Sequence, residues 1–412
     1  MGILKSTRRA FLASAAALPA VTAQSGGGFV HAQGPDLISG GAKLLLKGIN
    51  LGNWLVPEGY MFGFDPAPTA GREIADFFNE LIGPTDGAAF WTQWREAYIT
   101  QADIALIRSA RFNSIRIPFD YRLIPDPGFA LLDRVIGWCR AAGLWVILDM
   151  HCAPGGQTGT NIDNSYGWPW LWESSADQDA TVSLWRTIAA RYKDEPIVLG
   201  YDLLNEPIPN LPAVEIYNDR LEPLYKRIVA AIREVDSNHV VILGGAQWDS
   251  NFAVFGPPFD GNSMYTFHKY WTDPVKAVIQ PYLDFRDGYK VPIWLGESGE
   301  NTAQWISTFR ALLEQNNVGW CFWPYKKISS ESCMVTFDKP KYWDEIVAWA
   351  KARPASVGDQ SFISKRPALD HSRAALADLL QKVRVANCHI NQAFVHALGM
   401  GAIQRRFHLM QG

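Results

Sequence analysis

The sequence predicts an α/β fold, a (β/α)8 barrel forming one domain with long loops after its first and third strands. Three observations predict it. Eight short apolar runs recur along the chain, amphipathic segments separate most of them, and polar residues stand where the runs end. The chain has 412 residues, 48% hydrophobic and 19% charged, an ordinary globular composition with ample material for a core. That length allows two average domains, but a barrel with insertions also reaches it as one. No low-complexity linker follows residue 33 and no internal repeat is visible, so no appended module is expected.

The elements follow in order. Lys5-Ser6-Thr7-Arg8-Arg9-Ala10-Phe11-Leu12, then an Ala-rich apolar stretch to Val21-Thr22-Ala23, resembles a twin-arginine export signal. Residues 1–32 are therefore expected to be signal peptide and Gly-rich spacer, and 33–412 the catalytic domain. Cleavage after Ala23 or after Ala32 fits the small-x-Ala pattern, and the mature protein would be periplasmic or secreted. No later stretch approaches the 18 or so apolar residues of a membrane span.

The eight runs are residues 44–50, 112–118, 144–150, 198–204, 239–244, 264–268, 292–297 and 318–323. Most are apolar on both faces, as strands of an all-parallel sheet must be when helices cover it. Helical periodicity fills 99–110, 130–142, 179–193, 215–235 and 302–315, and the tail shows two more helical stretches, 342–350 and 372–398. Two insertions stand out. Residues 51–98 are rich in Gly, Pro and aromatics, and 152–178 contain Trp168-Pro169-Trp170-Leu171-Trp172. In a barrel the loops after the strands form the active face, so both are expected to wall a cleft. Seventeen Trp and fourteen Tyr suit both a large aromatic core and flat rings for stacking on sugars.

Charge and cysteines exclude several classes. A net charge of −3 offers no case for nucleic acid or an anionic membrane as partner. Five cysteines, Cys139, Cys152, Cys321, Cys333 and Cys388, show no C-x-x-C pair or zinc spacing and are expected to be buried thiols. There is no His-Glu-x-x-His, no Walker loop and no Gly-x-Ser-x-Gly elbow, since Gly296-Glu297-Ser298-Gly299-Glu300 fails at its last position.

The chemistry lies at the ends of the runs. They supply Asn50, Trp54 and Glu58, then Arg116, then Asp149-Met150-His151, then Asn205-Glu206. Gln247-Trp248, His268-Lys269-Tyr270-Trp271, Glu297 and Trp323 follow. Taken singly, each has a structural reading: Arg116 as a core ion pair, His151 or His268 as a satisfied buried histidine. Gathered at one rim, they supply two carboxylates, Glu206 and Glu297, to one cleft. That pair is what a retaining glycosidase needs, one group as acid/base and one as nucleophile.

The ordered set Arg116, His151, Asn205-Glu206-Pro207, His268-x-Tyr270, Glu297 and Trp323 resembles glycoside hydrolase family five, the (β/α)8 cellulases, mannanases and β-glucanases. Three stretches are most similar to its exo-β-1,3-glucanase branch and bacterial relatives: Lys47 to Glu58, His151 to Gln157, and Trp320 to Lys326. Two positions depart from that branch. Gly52-Asn53-Trp54 replaces Gly-Gly-Trp, and Gly296-Glu297-Ser298 replaces Gly-Glu-Trp; both bear on linkage preference.

The resemblance implies Glu206 as acid/base and Glu297 as nucleophile, acting on β-linked oligo- or polysaccharide without metal or cofactor. Arg116 is expected to hold Glu297 ionised and Tyr270 to donate to it. Asn205 would bond the sugar 2-hydroxyl, His151 and His268 orient hydroxyls and carboxylates, and Trp323 floor the reacting subsite. Glu58 would bind a terminal glucose and block one end of the cleft; its structural reading is a surface loop residue. Trp168, Trp170 and Trp172 could form a platform for the leaving group. Lys326 and Lys327 read as solvated or loop-anchoring. The favoured activity is that of a β-1,3-glucanase of exo type. The alternatives are an endo-β-1,4-glucanase or β-mannanase with an open groove, and a non-catalytic carbohydrate-binding barrel. A monomer is expected.

Overall fold

The computed structural model describes residues 28–352 and 365–403. A small antiparallel sheet comes first: β1 (His31–Gln33), β2 (Asp36–Ser39) and β3 (Ala42–Leu44). Eight parallel strands then close into a barrel in chain order. They are β4 (Lys47–Asn50), β5 (Ser114–Asp120), β6 (Trp145–Cys152), β7 (Val198–Asp202), β8 (Val240–Gly244), β9 (Ser263–His268), β10 (Ile293–Glu297) and β11 (Gly319–Phe322). Each predicted run coincides with one of them. The first run splits, because Leu45-Leu46 carries the chain from the hairpin sheet into the barrel.

Strand periodicity explains how the barrel is filled. In β6, Ile147 joins the small inner core while Leu148 and Met150 pack outward against the helices. The inner core also takes Leu46, Leu199, Ile242, Met264, Trp294 and Cys321, with Val30 and Leu37 of the hairpin region packed on it. Apolar side chains thus fill the end of the barrel where the strands begin. Polar residues occupy the end where the strands finish.

Residues 29–32 belong to this folded body. Val30 is buried, the Phe29 ring meets His239 at 5.1 Å, and the Ala32 N–H donates to Asn262. The expected boundary between 32 and 33 therefore cuts a structured hairpin. The expected signal falls mostly on residues 1–27, which lie outside the described residues.

The predicted helices correspond to Gln101–Ser109, Gly128–Ala142, Ser175–Tyr192, Asn218–Arg233 and Ala303–Gln315. A further helix, Lys276–Tyr289, carries Pro281 in its interior, which hides it from pattern reading. The largest departure is the segment 51–98. It contains two helices, Gly71–Ile82 and Pro84–Tyr98, where a cleft-walling loop was expected. Gly71, Gly83 and Pro84 read as breakers, but Pro is favoured in a first helical turn. The Glu73 carboxylate takes the backbone N–H groups of Thr69 and Ala70 and secures the first helix start. Phe77, Phe78, Phe90 and Trp94 from these helices pack with Phe62, Phe64, Trp343 and Trp349. Much of the aromatic content is therefore core.

The tail differs too. Residues 372–398 form not one helix but Leu369–Lys382, a short strand β14 (His389–Ile390) and Gln392–Ala397. The Asn391 side chain caps the last helix by accepting the Phe394 N–H. β14 completes a sheet with β12 (Lys326–Ile328) and β13 (Val335–Phe337). All five cysteines are free, four of them buried. No helix among the described residues is long and apolar enough to cross a membrane.

Candidate active site

Arg116 of β5 is the hub. Its side chain is wholly buried inside the barrel, an arrangement tolerable only with partners on every nitrogen. Nε donates to Asp202 at 2.8 Å, and Nη1 to Asn50 at 3.1 Å and Glu297 at 2.5 Å. Nη2 donates to Asn205 at 2.9 Å and lies 3.1 Å from Asp149. The carboxylates come from facing positions of neighbouring strands: Asp149 of β6 pairs with Asp202 of β7. Glu297 ends β10.

Glu206 and Glu297 meet across His268. His268 Nδ1 lies 2.9 Å from Glu206 Oε1 and 3.8 Å from Glu297 Oε2. An oxygen of each carboxylate and a His268 nitrogen all lie within 4.8 Å of one another. The Tyr270 hydroxyl donates to that same Oε2 of Glu297 at 3.0 Å, while Arg116 holds Oε1. Glu206 is held with φ of 46°, and Ile208 beyond it with φ of 53°. That conformation is unusual for any residue but Gly and rarer still for a β-branched one. Such outliers cluster where a fold holds functional groups in place.

Burial raises the pKa of Glu206 well above the carboxylate range; the charge of Glu297 adds to this and Arg116 opposes it. Burial also raises Glu297, against Arg116, His151 and the Tyr270 hydrogen bond. The expectation that Arg116 holds Glu297 low is thus corrected: Arg116 limits the rise without reversing it. Burial takes His151 down to about 4 and His268 well below its ordinary value, so both rings are neutral near pH 7.

His151 Nδ1 lies 2.7 Å from Asp149, and its Nε2 lies 3.3 Å from the Asn205 amide nitrogen. A neutral ring donating to Asp149 then accepts from Asn205. Asn205 is thereby fixed at both ends, by Arg116 on its oxygen and His151 on its nitrogen. The His151 ring stacks on Trp323, centroids 5.8 Å apart. The Trp323 indole N–H donates to the Tyr60 hydroxyl at 2.7 Å.

Glu58 is not a surface residue. It is 5% exposed, its Oε1 has no hydrogen-bond partner, and burial followed by the charges of Glu297 and Glu300 pushes its pKa to about 8. Its backbone N–H donates to the Asn53 side chain.

One predicted residue stands apart from this set. Trp54 is buried in the outer core with its N–H on the Arg95 carbonyl. Trp248 is half-buried on the loop after β8, with φ of 56° and its backbone N–H on the Ile208 carbonyl. Trp172 is also core, its N–H on Gln157; Trp168 bonds Glu173, and Trp170 is exposed. Lys326 is not solvated. It is fully buried against Asp103 and the carbonyls of Tyr98 and Val383.

Sequence reading missed several supports. Gln157 donates to the carbonyls of His151 and Asn205, tying two active loops together. Tyr60 is braced by Glu300 and lies under the Lys327 ammonium. Asp249 accepts the Glu206 backbone N–H. The i, i+2 spacing of Asp149 and His151 on one strand face could have shown Asp149; Asp249 sits in an irregular loop and carried no signal.

Two donor sets bring their atoms close enough to share an ion: Asp149, His151 and Glu297, and Glu206, His268 and Glu297. Their donor atoms already face one another, Arg116 and Tyr270 as hydrogen-bond partners. The sets read as a proton-bearing network rather than as a ligand cage.

Comparison with known proteins agrees with this geometry. Residues 79–329, more than half of the chain, match the family model "Cellulase (glycosyl hydrolase family 5)". The chain belongs to glycosyl hydrolase family 5 and is a glycoside hydrolase. It is 29% identical to a beta-xylosidase of Phanerodontia chrysosporium, over 73% of this chain and 71% of the relative. It is 26% identical to endoglucanase C of Acetivibrio thermocellus, over 57% of this chain and 86% of that one. A probable glucan 1,3-beta-glucosidase A of Aspergillus clavatus is 30% identical over 48% of this chain and 49% of its own length. Among solved structures, rutinosidase from Aspergillus niger superposes with a TM-score of 0.56 at 18% identity. It covers 69% of this chain and 90% of that one, and shows the shared barrel.

Proposed function

We propose that the protein is a retaining β-glycosidase that releases glucose from the ends of β-linked glucans or glucosides, with β-1,3-glucans favoured. The observation that carries the chemistry is the close approach of Glu206 and Glu297, with oxygens within 4.8 Å. Double displacement needs carboxyl groups about 5–5.5 Å apart; inversion needs about 6.5–9.5 Å to admit a water.

In the first step Glu297 attacks the anomeric carbon while Glu206 protonates the leaving oxygen. The negative charge of Glu297 helps keep Glu206 protonated, and its loss on forming the glycosyl-enzyme lets Glu206 turn to base. Water then attacks, Glu206 takes its proton, and the sugar leaves with retained configuration. Asn205 bonds the 2-hydroxyl, and Trp323 underlies the sugar ring.

Glu58 supports the exo reading. A buried carboxyl with a free oxygen beside Glu297 suits the hydroxyls of a terminal sugar. The second reading is an endo-acting β-1,4-glucanase or β-mannanase; the likeness to an endoglucanase, spanning 86% of that relative, favours it.

Product release by the purified protein on laminarin, β-1,4-glucan, mannan and aryl β-glucosides separates the two. Early single glucose of retained configuration from laminarin or aryl glucoside supports exo action; mixed oligomers from β-1,4-glucan or mannan favour the endo reading. A Glu297→Ala protein that keeps its activity overturns the nucleophile assignment.

We also infer export by the twin-arginine route, supported by Arg8-Arg9 and the apolar run behind them. Cleavage after Ala23 suits the fold better than cleavage after Ala32, which would remove buried Val30. Replacing Arg8 and Arg9 by Lys should abolish export, and mass measurement of the exported protein reads the cleavage site.

A further inference from the structure

We propose that Trp271 is a specificity-determining residue, a fixed platform on which the leaving-group sugar of a β-linked oligosaccharide stacks. This rests on the reading of Glu206 as acid and Glu297 as nucleophile. The order of strands round the barrel gives the direction: β7, β8, β9, β10, β11 and β4 are successive neighbours. Glu297 ends β10. Trp323 and Glu58 lie past β11 and β4 on one side of it, while His268 and Glu206 stand at the ends of β9 and β7 on the other. The sugar that becomes bonded to Glu297 rests with Trp323 and Glu58. The leaving group departs towards its proton donor, and so over the arc of β7 to β9. Trp271 stands on that arc just past His268, whose Nδ1 is 2.9 Å from Glu206.

Trp271 is 76% exposed, more than any other large apolar side chain among the described residues. A lone exposed ring needs no explanation by itself, but this one is held in place. Its indole N–H donates to the Glu300 carbonyl at 3.2 Å, and its ring meets that of Tyr270 at 5.4 Å, tilted by 40°. Tyr270 in turn donates to Glu297. Glu300 is fixed by the Lys327 ammonium at 2.7 Å, and the Thr272 carbonyl accepts the Trp305 indole N–H at 2.6 Å. Trp271 and Glu300 both have left-handed backbone, with φ of 51° and 48°, a conformation uncommon for either residue type. Such strain persists where surrounding contacts over-determine it, and it clusters at binding sites. Here it holds a flat apolar face in solvent beside the tyrosine of the nucleophile. That face suits the C–H-rich face of a pyranose ring. With its only N–H already bonded to Glu300, the indole recognises by surface contact, so it selects for a ring rather than for one pattern of hydroxyls.

The test uses substrates that differ only beyond the bond to be cleaved. Laminaribiose and cellobiose carry a glucose ring as leaving group; β-glucosyl fluoride carries a single atom. In Trp271→Ala, kcat/KM on the better disaccharide should fall about five- to twentyfold and on the fluoride by less than about twofold, with the melting temperature unchanged. Trp271→Phe, which keeps a flat ring, should recover most of the loss. Equal loss on disaccharide and fluoride, no loss on either, or a Phe variant as damaged as Ala overturns the proposal. So does an unmutated protein that turns over the fluoride and neither disaccharide, since no leaving sugar is then held. Glu297→Ala is the control for the parent reading and should be inactive on every substrate. If it is active, the nucleophile assignment fails, whichever way the Trp271 comparison falls.

Discussion

Glu206 and Glu297 share one buried cleft yet differ in what surrounds them. Arg116 and Tyr270 contact Glu297 directly, whereas the Glu206 carboxyl bonds neutral His268 and feels the charge of Glu297 most strongly. The proposed double displacement requires Glu297 ionised and Glu206 protonated. Because burial raises both, with Glu206 the higher, kcat/KM should be bell-shaped in pH. The acid limb should lie above the ordinary carboxylate range and the alkaline limb higher still; a flat profile to pH 4 contradicts the assignment. Glu58→Gln should cost about tenfold in kcat/KM on glucosides, the upper scale of one hydrogen bond to a sugar. Unchanged kinetics would remove Glu58 from the sugar site. Glu297, Glu206 and Arg116 were all legible as members of one cluster, because each ends or interrupts an apolar strand. Asn53 was legible only as a departure. Its φ of 64° explains it: Asn is among the few side chains tolerated where the related branch uses Gly.

Strand ends and the turns beyond them set the position of the Trp323 ring, the proposed floor of the sugar subsite. A Cβ on Gly52 would lie 2.5 Å from the Trp323 ring. Gly52→Ala should tilt that ring and lower kcat/KM about ten- to a hundredfold with little change in melting temperature. Loss of fold instead would make Gly52 a core residue. A second element-level joint ties β12 to the helix Gln101–Ser109 and the chain after Leu369–Lys382, through Lys326, Asp103 and the Val383 carbonyl. Lys326→Met leaves Asp103 buried without its counter-charge and should destabilise the protein by about 3–5 kcal/mol in denaturant titration. A loss below about 1 kcal/mol would show that Asp103 finds another partner. The helices of residues 71–98 escaped sequence reading for a physical reason. Gly and Pro mark loops by default, and the surrounding breakers masked the helical spacing of Ile74, Phe77, Phe78, Leu81 and Ile82, which form the buried face of the first helix.

The whole molecule carries an unusual load of buried acid. Burial, partly opposed by Arg116, raises Asp149 and Asp202 to about 7; Glu58 rises to about 8. An unfolded chain releases these protons near pH 4. The folded state therefore retains protons that the unfolded state has lost. Their contribution to stability is full below the unfolded pKa and declines as pH rises through 7 to 8. On the acid side the sign reverses for Asp236 and Asp260, where hydrogen bonds from His239 and Arg233 outweigh burial. Their contribution is lost as pH falls through their lowered values. The unliganded protein should melt highest near pH 4 and lose stability from there to pH 8; a midpoint that rises between pH 5 and 8 contradicts the buried-acid account.

The sequence by itself determined the barrel, the order of its strands and the residues brought to its rim. Strand period and the alternation of strand with helix are local properties, and a parallel barrel orders its strand ends by chain order alone. Only the tertiary structure decided that Trp54 is core, that Glu58 is buried and that Asp249 reaches the Glu206 backbone. These depend on which side chains close over which, a matter of packing between segments distant in the chain that no local pattern encodes.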